Sequence, residues 1–313
     1  MHESIPDKLI QLERKFATMG QDMASYLEGL LQADYLTYWD YIHLETLLSL
    51  QNPKTAYPDE LIFVTYHQIT ELYFKLILHE IAQIADAQPL TTTFFVARLQ
   101  RVNRYFDLLE QSFGVMISGM EREQFLKFRM ALLPSSGFQS VQFREIEIVS
   151  TDFQNLLSEV PAESGSIAEQ YDTIYWKRGA TELATQQKTL TLNQFDHKYG
   201  TRLIHLAEAY QSRNLNVRFR ELERAGETTT ELVNALREYD HRVNVRWKLA
   251  HLRSSVQYLR DRPDDVKATG GTNWQTYLPQ CSSNGCFFRR CGQQRSYRTG
   301  ESLREQHPSN ASS

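Results

Sequence analysis

Two of the nine histidines stand in sequence surroundings that suit chemistry. His67 lies inside a strongly apolar run, residues 61–80, which reads LIFVTYHQITELYFKLILHE. His251 lies in VRWKLAHLRSSVQYL, with Trp247 one helical turn before it. Burying an imidazole costs free energy unless it finds a hydrogen-bond partner or a ligand. A neutral imidazole on an apolar helix is a common axial ligand of haem iron, and an ordinary core histidine is the alternative for each residue.

A second group of polar residues follows in the segment 125–147, FLKFRMALLPSSGFQSVQFREIE. Phe125 and Arg129 are one helical turn apart, and a break of small residues comes directly after them. Because a guanidinium group is the natural fork for a carboxylate, this mixture of aromatic, small and basic residues favours the wall of a pocket for a flat acidic ligand. The alternative is a helix–loop–helix with surface arginines.

A third candidate is the polar loop 267–274, KATGGTNW. Its two glycines allow the backbone to come close to a ligand. Taken alone, this pattern is common in loops and does not separate a binding loop from an ordinary connection.

Helices must position all three groups, since apolar residues recur at spacings of three and four along most of the chain. One such stripe runs from Leu9 to Leu30 and predicts a single long helix, and a second runs from Phe95 to Met116, with its start near Thr91–Thr93. Further helices are predicted over 36–51, 61–85, 195–213 and about 229–260. Alternating strand patterns are scarce and nucleotide-binding glycine motifs are absent from the sequence, so we predict an all-α fold.

Composition and charge argue against several functional classes for this chain. The net charge of −4 over 313 residues gives no overall field for nucleic acid or anionic membranes. No apolar run approaches the roughly 20 residues of a membrane-spanning helix, and we expect no signal peptide. The three cysteines all lie in the polar stretch 281–313, which we expect to be a disordered tail after a single helical domain, 1–280. This cysteine usage favours a reducing, cytoplasmic location.

The motifs together resemble the tryptophan 2,3-dioxygenase family. The matching segments occur in the family's order, from about residue 36 to 278: LTYWDYIHLETLLSLQ, DELIFVTYHQITELYFKLILHE, FLKFRMALLPSSGFQSVQFREIE, WKLAHLRSSV and ATGGTNWQTYL. This resemblance implies a helical haem b protein that uses O2 as co-substrate. It implies O2 insertion across the indole C2–C3 bond of L-tryptophan or a substituted tryptophan, giving an N-formylkynurenine-type product.

The resemblance also implies roles for individual residues. His251 would be the axial ligand of the haem iron, and His67 the distal histidine that meets the indole N–H. The substrate would be held by Phe63, Phe125, Arg129 and Thr269. A homotetramer is implied as well, with the N-terminal helices contributing to a neighbouring subunit and Tyr38 reaching that subunit's site.

Departures from the family pattern leave two other functions open. The family's loop usually reads GTGGSSG, whereas Asn273 and Trp274 add bulk here, and the usual C-terminal apolar helix is replaced by the polar tail. A reshaped loop could favour insertion of a single oxygen atom into a tryptophan derivative, giving an oxindole or hydroxyindoline. A haem sensor without enzyme activity is the remaining class, and the amino acid clamp expected of Arg129 and Thr269 argues against it.

Overall fold

The computed structural model describes residues 4–33, 37–129, 139–158, 165–178 and 188–259. The chain divides into two compact units, Met1–Asn52 and Pro53–Ser313. The predicted boundary at residue 280 and the tail 281–313 lie outside the described residues.

The described residues fold almost entirely as helices, and the prediction of an all-α fold is confirmed. An isolated bridge between Leu157 and Ile174 is the only β-type pairing within the described ranges. The helices are α1 (Ile5–Thr18), α2 (Met23–Leu31), α3 (Tyr38–Tyr41), α4 (Leu44–Leu48), α5 (Asp59–Asp86), α6 (Thr92–Ser118), α7 (Arg122–Phe128), α8 (Val141–Ser150), α9 (Ile167–Gln170), α10 (Tyr175–Arg178), α11 (Leu190–Phe195), α12 (Thr201–Tyr210), α13 (Leu215–Arg224), α14 (Thr230–His241) and α15 (Trp247–Leu259).

The first unit differs from the predicted pattern at two places. The stripe from Leu9 to Leu30 is divided between α1 and α2, because Gly20 between them adopts a left-handed backbone with φ of 66°. The predicted helix 36–51 is divided between α3 and α4, because His43 has φ of 51°. A left-handed residue cannot continue a right-handed helix, so both predictions of one continuous helix were wrong.

The second unit is built on the long helices α5 and α6, which pack against each other along much of their length. Thr91 caps α6 through the Phe94 amide, and the predicted stripe of α6 is buried from Phe95 to Met116. On α5 the residues Ile77, Ile81 and Ile84 are fully buried, each contributing roughly 1.5–3 kcal/mol of apolar transfer free energy. Leu76, next to Ile77, is 43% exposed.

Two apolar clusters form within this unit. The larger one, which we call the main core, joins α5 and α6 to α8, α12, α13 and α14. The smaller one, which we call the site cluster, joins α5, α6, α7 and α15. Its buried members are Tyr66, Phe113, Met116, Met120, Phe125, Phe128, Ala250 and Tyr258. Trp247 packs against both clusters and therefore connects them.

The two later predicted helices are present but contain π-helical turns. The prediction 195–213 corresponds to the end of α11, the π segment Asp196–Gly200 and α12, and the prediction 229–260 corresponds to α14, the π segment Arg242–Arg246 and α15. A π turn shifts the helix face by one extra residue and is frequent near functional sites. His251 follows the second π segment within two turns.

No helix in the described ranges combines the length and the apolar character that crossing a membrane would require.

Candidate functional site

Helix α5 presents Phe63 and His67 one turn apart, with their ring centroids 4.1 Å from each other. The Nδ1 atom of His67 lies 2.7 Å from the carbonyl oxygen of Phe63. Since a carbonyl oxygen only accepts, Nδ1 must carry the proton and donate. In the neutral ring the lone pair then sits on Nε2, for which the described residues provide no hydrogen-bond partner.

The electrostatic surroundings keep His67 neutral at physiological pH. Desolvation by the surrounding protein lowers the pKa of His67, while the Phe63 carbonyl and the negative charge of Glu71 oppose that shift. The residue is nevertheless accessible to solvent and does not lie sealed in the core. His67 can therefore accept a hydrogen bond through Nε2 from a ligand.

Helix α15 brings the second histidine to the same region. Desolvation, together with a smaller contribution from the positive charge that His67 would carry, lowers the pKa of His251 to about 4. The Phe113 ring meets the His251 ring edge-on at 6.2 Å. His251 is thus held in the neutral form, which is the form that binds iron.

A sequence of ring contacts connects the two histidines across three helices. His67 meets Tyr66 at 5.7 Å, Tyr66 meets Phe113 at 5.9 Å, and Phe113 meets His251 at 6.2 Å. Each contact is T-shaped, an arrangement that is favourable between aromatic rings. The site cluster therefore fixes both imidazoles relative to one another although 184 residues separate them in sequence (251 minus 67).

Helix α7 adds the aromatic side of the site. Phe63 lies 6.3 Å from Phe125 and 5.7 Å from Phe128, measured between ring centroids. Phe125 in turn lies 4.6 Å from the ring of Tyr258 on α15. Phe63 and Phe125, both predicted to line the pocket, are brought together here.

The start of α7 lies against the start of α5, where the Asp59 carboxylate accepts a hydrogen bond from the Glu121 amide, and Phe63 meets Phe125 one turn later. Arg129 follows Phe125 by one turn. Arg129 is half-buried and keeps a helical backbone at the C-terminal cap of α7.

The other predicted site residues cannot be compared with this geometry. Thr269 lies outside the described residues. Tyr38 begins α3 in the first unit, where its side chain is 71% exposed.

The sequence did not single out Tyr66, Phe128 or Tyr258 as part of the site. Spacing could have indicated two of them, since Phe128 is three residues after Phe125 and Tyr258 is seven after His251, so each shares a helix face with its partner. Tyr66 had no such signal, because its contact with Phe113 depends on the packing of α5 against α6.

Comparison with known sequences adds to this geometry. The model of a family described as tryptophan 2,3-dioxygenase matches residues 28–156, which include Tyr38, Phe63, His67, Phe125 and Arg129. This part of the chain is therefore similar to the tryptophan 2,3-dioxygenase family. His251 and Thr269 lie beyond the matched segment of this family.

Curated relatives support the same family. A tryptophan 2,3-dioxygenase of Ruegeria sp. (strain TM1040) is 42% identical over 118 residues, which is 37% of this chain and 42% of that protein. A tryptophan 2,3-dioxygenase of Exiguobacterium sibiricum is 38% identical over 144 residues, which is 44% of this chain and 50% of that protein. A protein named tryptophan 2,3-dioxygenase 2 from Ralstonia nicotianae is 41% identical over 125 residues, covering 34% of its length. The chain spans half or less of the length of these family members.

Proposed function

We propose that this protein is a haem-dependent oxygenase that inserts O2 across the indole C2–C3 bond of L-tryptophan or a substituted tryptophan. The product would be of the N-formylkynurenine type. The observation that carries the proposal is the pair of neutral imidazoles, from α5 and α15, that the site cluster holds close together, with Nε2 of His67 open to a ligand.

The surroundings of His251 fit an axial haem ligand, and we propose haem b as the group. The imidazole is neutral, stands on a helix, and has the Phe113 ring and the Trp247 turn beside it. These are apolar neighbours of the kind that a porphyrin face requires. When bound, haem supplies the activation of O2, and the protein supplies binding, orientation and polarity.

His67 would orient the indole ring rather than remove a proton irreversibly. Its Nδ1–H is already engaged with the Phe63 carbonyl, so only Nε2 is available, and Nε2 can accept the indole N–H. The Phe63 and Phe125 rings would cover the faces of the bicyclic ring system. Holding the indole in one orientation raises the rate by positioning.

Arg129 would hold the carboxylate of the amino acid substrate. Arg129 lies one turn after Phe125, and Phe125 contacts Phe63, which precedes His67 by one turn. One end of the substrate would meet the guanidinium while the indole N–H meets Nε2. A guanidinium forms paired hydrogen bonds with a carboxylate, which fixes the direction of the ligand as well as its charge. Thr269 is proposed, from the family resemblance, to bind the same end of the substrate.

We further propose a homotetramer that works in the cytoplasm, in which Tyr38 reaches the site of a neighbouring subunit. The described part of the first unit has no buried side chain, and it exposes large apolar residues on every one of its helices. Apolar faces of this extent are typical of surfaces that are covered by a partner.

The full chain, reconstituted with haem and reduced, tests the function when L-tryptophan is added in air. Absorbance growth in the N-formylkynurenine band and a product that carries two atoms of isotopically labelled oxygen are the expected results. A product with one labelled atom would instead indicate the monooxygenase that forms an oxindole or hydroxyindoline. Absence of turnover with tryptophan and with ring-substituted tryptophans would overturn the proposal in favour of a haem sensor.

A further inference from the structure

The N-termini of α5 and α7 cap each other. Neither helix is capped by its own N-cap side chain, which is Pro58 for α5 and Glu121 for α7. Instead, the Glu121 amide donates to the Asp59 carboxylate at 2.5 Å, and the Asp59 amide donates to the Gln124 side-chain oxygen at 3.2 Å. Each helix therefore provides a hydrogen-bond acceptor for a free amide of the other. A capping side chain normally provides such an acceptor within its own helix.

The same end of α7 is also tied to α15. Arg122 donates from Nε to the Tyr258 carbonyl at 3.1 Å, and the Tyr258 hydroxyl donates to the Met120 carbonyl at 3.4 Å. Tyr258 stands two turns beyond His251 on one helix. The start of α7 is consequently bonded to both helices that carry the candidate histidines.

This arrangement contributes to fixing the rotation and height of α7. The helix has seven residues, and a helix of that length is not stable alone. The capping pair holds the start of α7 against α5, Phe125 meets Phe63 one turn later, and Arg129 follows at the far end of α7. A rotation of α7 by one residue would turn Arg129 through about 100°.

We propose that Asp59 and Gln124 are positioning residues, whose reciprocal hydrogen bonds fix the start of α7 against the start of α5 and so position Arg129 at the far end of α7. This inference rests on the proposed function, in which Arg129 holds the substrate carboxylate. Asp59 and Gln124 act on the substrate only through α7.

Asp59→Ala is the informative variant, measured in the holoenzyme with L-tryptophan. We expect KM to rise about tenfold, because one helix cap is lost and Arg129 is misplaced. We expect kcat to stay within about threefold of the parent value and the haem spectrum to stay unchanged. Asp59→Asn keeps an oxygen acceptor for the Glu121 amide and should restore KM to within about threefold of the parent. A KM that stays at the parent value in Asp59→Ala would overturn the inference.

A double-mutant cycle separates positioning from general destabilisation. If Asp59 acts through Arg129, Asp59→Ala causes no further rise in KM once Arg129 has been replaced by Ala. The matched control is Thr229→Ala, because Thr229 caps α14 through the Leu232 amide and lies in neither α5 nor α7. An equal rise in KM in the Arg129→Ala background, or in Thr229→Ala, would contradict the inference.

Amide hydrogen exchange keeps the two proposals distinguishable. Failure of the parent protein to turn over tryptophan would defeat the proposed function. Hydrogen exchange instead measures, without substrate, whether the start of α7 is held in place. The Glu121 amide should exchange at least about tenfold faster in Asp59→Ala than in the parent, and Thr229→Ala should leave it unchanged. An unaltered rate in Asp59→Ala would show that Asp59 does not hold α7.

Discussion

The polar groups in the main core and those beside the site cluster are satisfied in different ways. In the main core, Arg144 and Glu147 form an ion pair of 2.7 Å, and the Tyr175 hydroxyl donates to the same carboxylate. Tyr239 and Ser150 share a buried hydrogen bond of 2.6 Å. Beside the site cluster, the solvent-accessible His67 is bonded through Nδ1, and the described residues provide no partner for Nε2.

This difference shows what the polar groups of each region contribute. Buried charges that are paired within the protein specify how α8 and α10 pack, and breaking such a pair leaves an uncompensated charge. A solvent-accessible polar atom without a protein partner can exchange its water for a ligand. The contrast predicts that changes in the main core alter stability, whereas changes in the site cluster alter ligand binding.

The largest expected effect is on haem. His251→Ala should abolish nearly all bound haem and its Soret absorbance, because it removes the proposed iron ligand. The matched control is His205→Ala, an exposed histidine on α12, which should retain full haem content. Added imidazole should restore the absorbance in a His251→Gly variant, and haem content that stays unchanged in His251→Ala would refute the assignment.

The next effect tests the main core. Glu147→Ala should lower the free energy of unfolding by about 3–5 kcal/mol, since it leaves Arg144 buried without its carboxylate. Asp86→Ala provides the control, because its ion pair with Arg213 is solvent-exposed and such pairs contribute only about 0–1 kcal/mol. Chemical denaturation measures both variants, and equal losses would remove the distinction between the two kinds of ion pair.

Substrate binding should respond to Arg129. Arg129→Ala should raise KM for L-tryptophan by about 30-fold or more, equivalent to roughly 2 kcal/mol, because the carboxylate loses its charged partner. Haem content should not change, since the iron ligand is on another helix. Steady-state kinetics provide the measurement, and Lys127→Ala, an exposed cation two residues earlier on α7, is the control that should leave KM unaltered.

The smallest expected effect is the pH dependence of the folding stability of the haem-free protein. The pKa of His251 is about 4 in the folded state, and its ordinary value is 6.5. Between these two pH values the unfolded chain binds a proton at His251 that the folded chain does not bind. Folding stability should therefore fall as the pH decreases from about 6.5 to 4. Because solvent reaches the site, we expect about 1 kcal/mol from this group rather than the full value of the shift.

Denaturation at pH 7 and pH 5 measures this loss. The His67 pKa is lowered in the same direction and adds to it. His251→Gln, which cannot take up the proton, should show a smaller loss than the parent protein. An identical pH dependence in the two proteins would show that His251 is not desolvated.

Sequence by itself determined the long helices and the family resemblance. The stripe from Phe95 to Met116 and the run 61–85 predicted α6 and α5, because the 3.6-residue period is a local property that the order of residues encodes directly. The resemblance to the tryptophan 2,3-dioxygenase family also followed from local motifs, and the family match over 28–156 confirms it.

Tertiary structure alone decided which helix faces meet and where helices break. The contact between the starts of α5 and α7, the ring contacts that join His67 to His251, and the exposure of Leu76 all depend on residues far apart in the chain. The left-handed turn at His43 was likewise hidden, since an αL residue that is not glycine leaves no mark in apolar spacing. Periodicity defines the faces of a helix, but the free energy of packing selects the partner for each face, and that selection involves the whole unit at once.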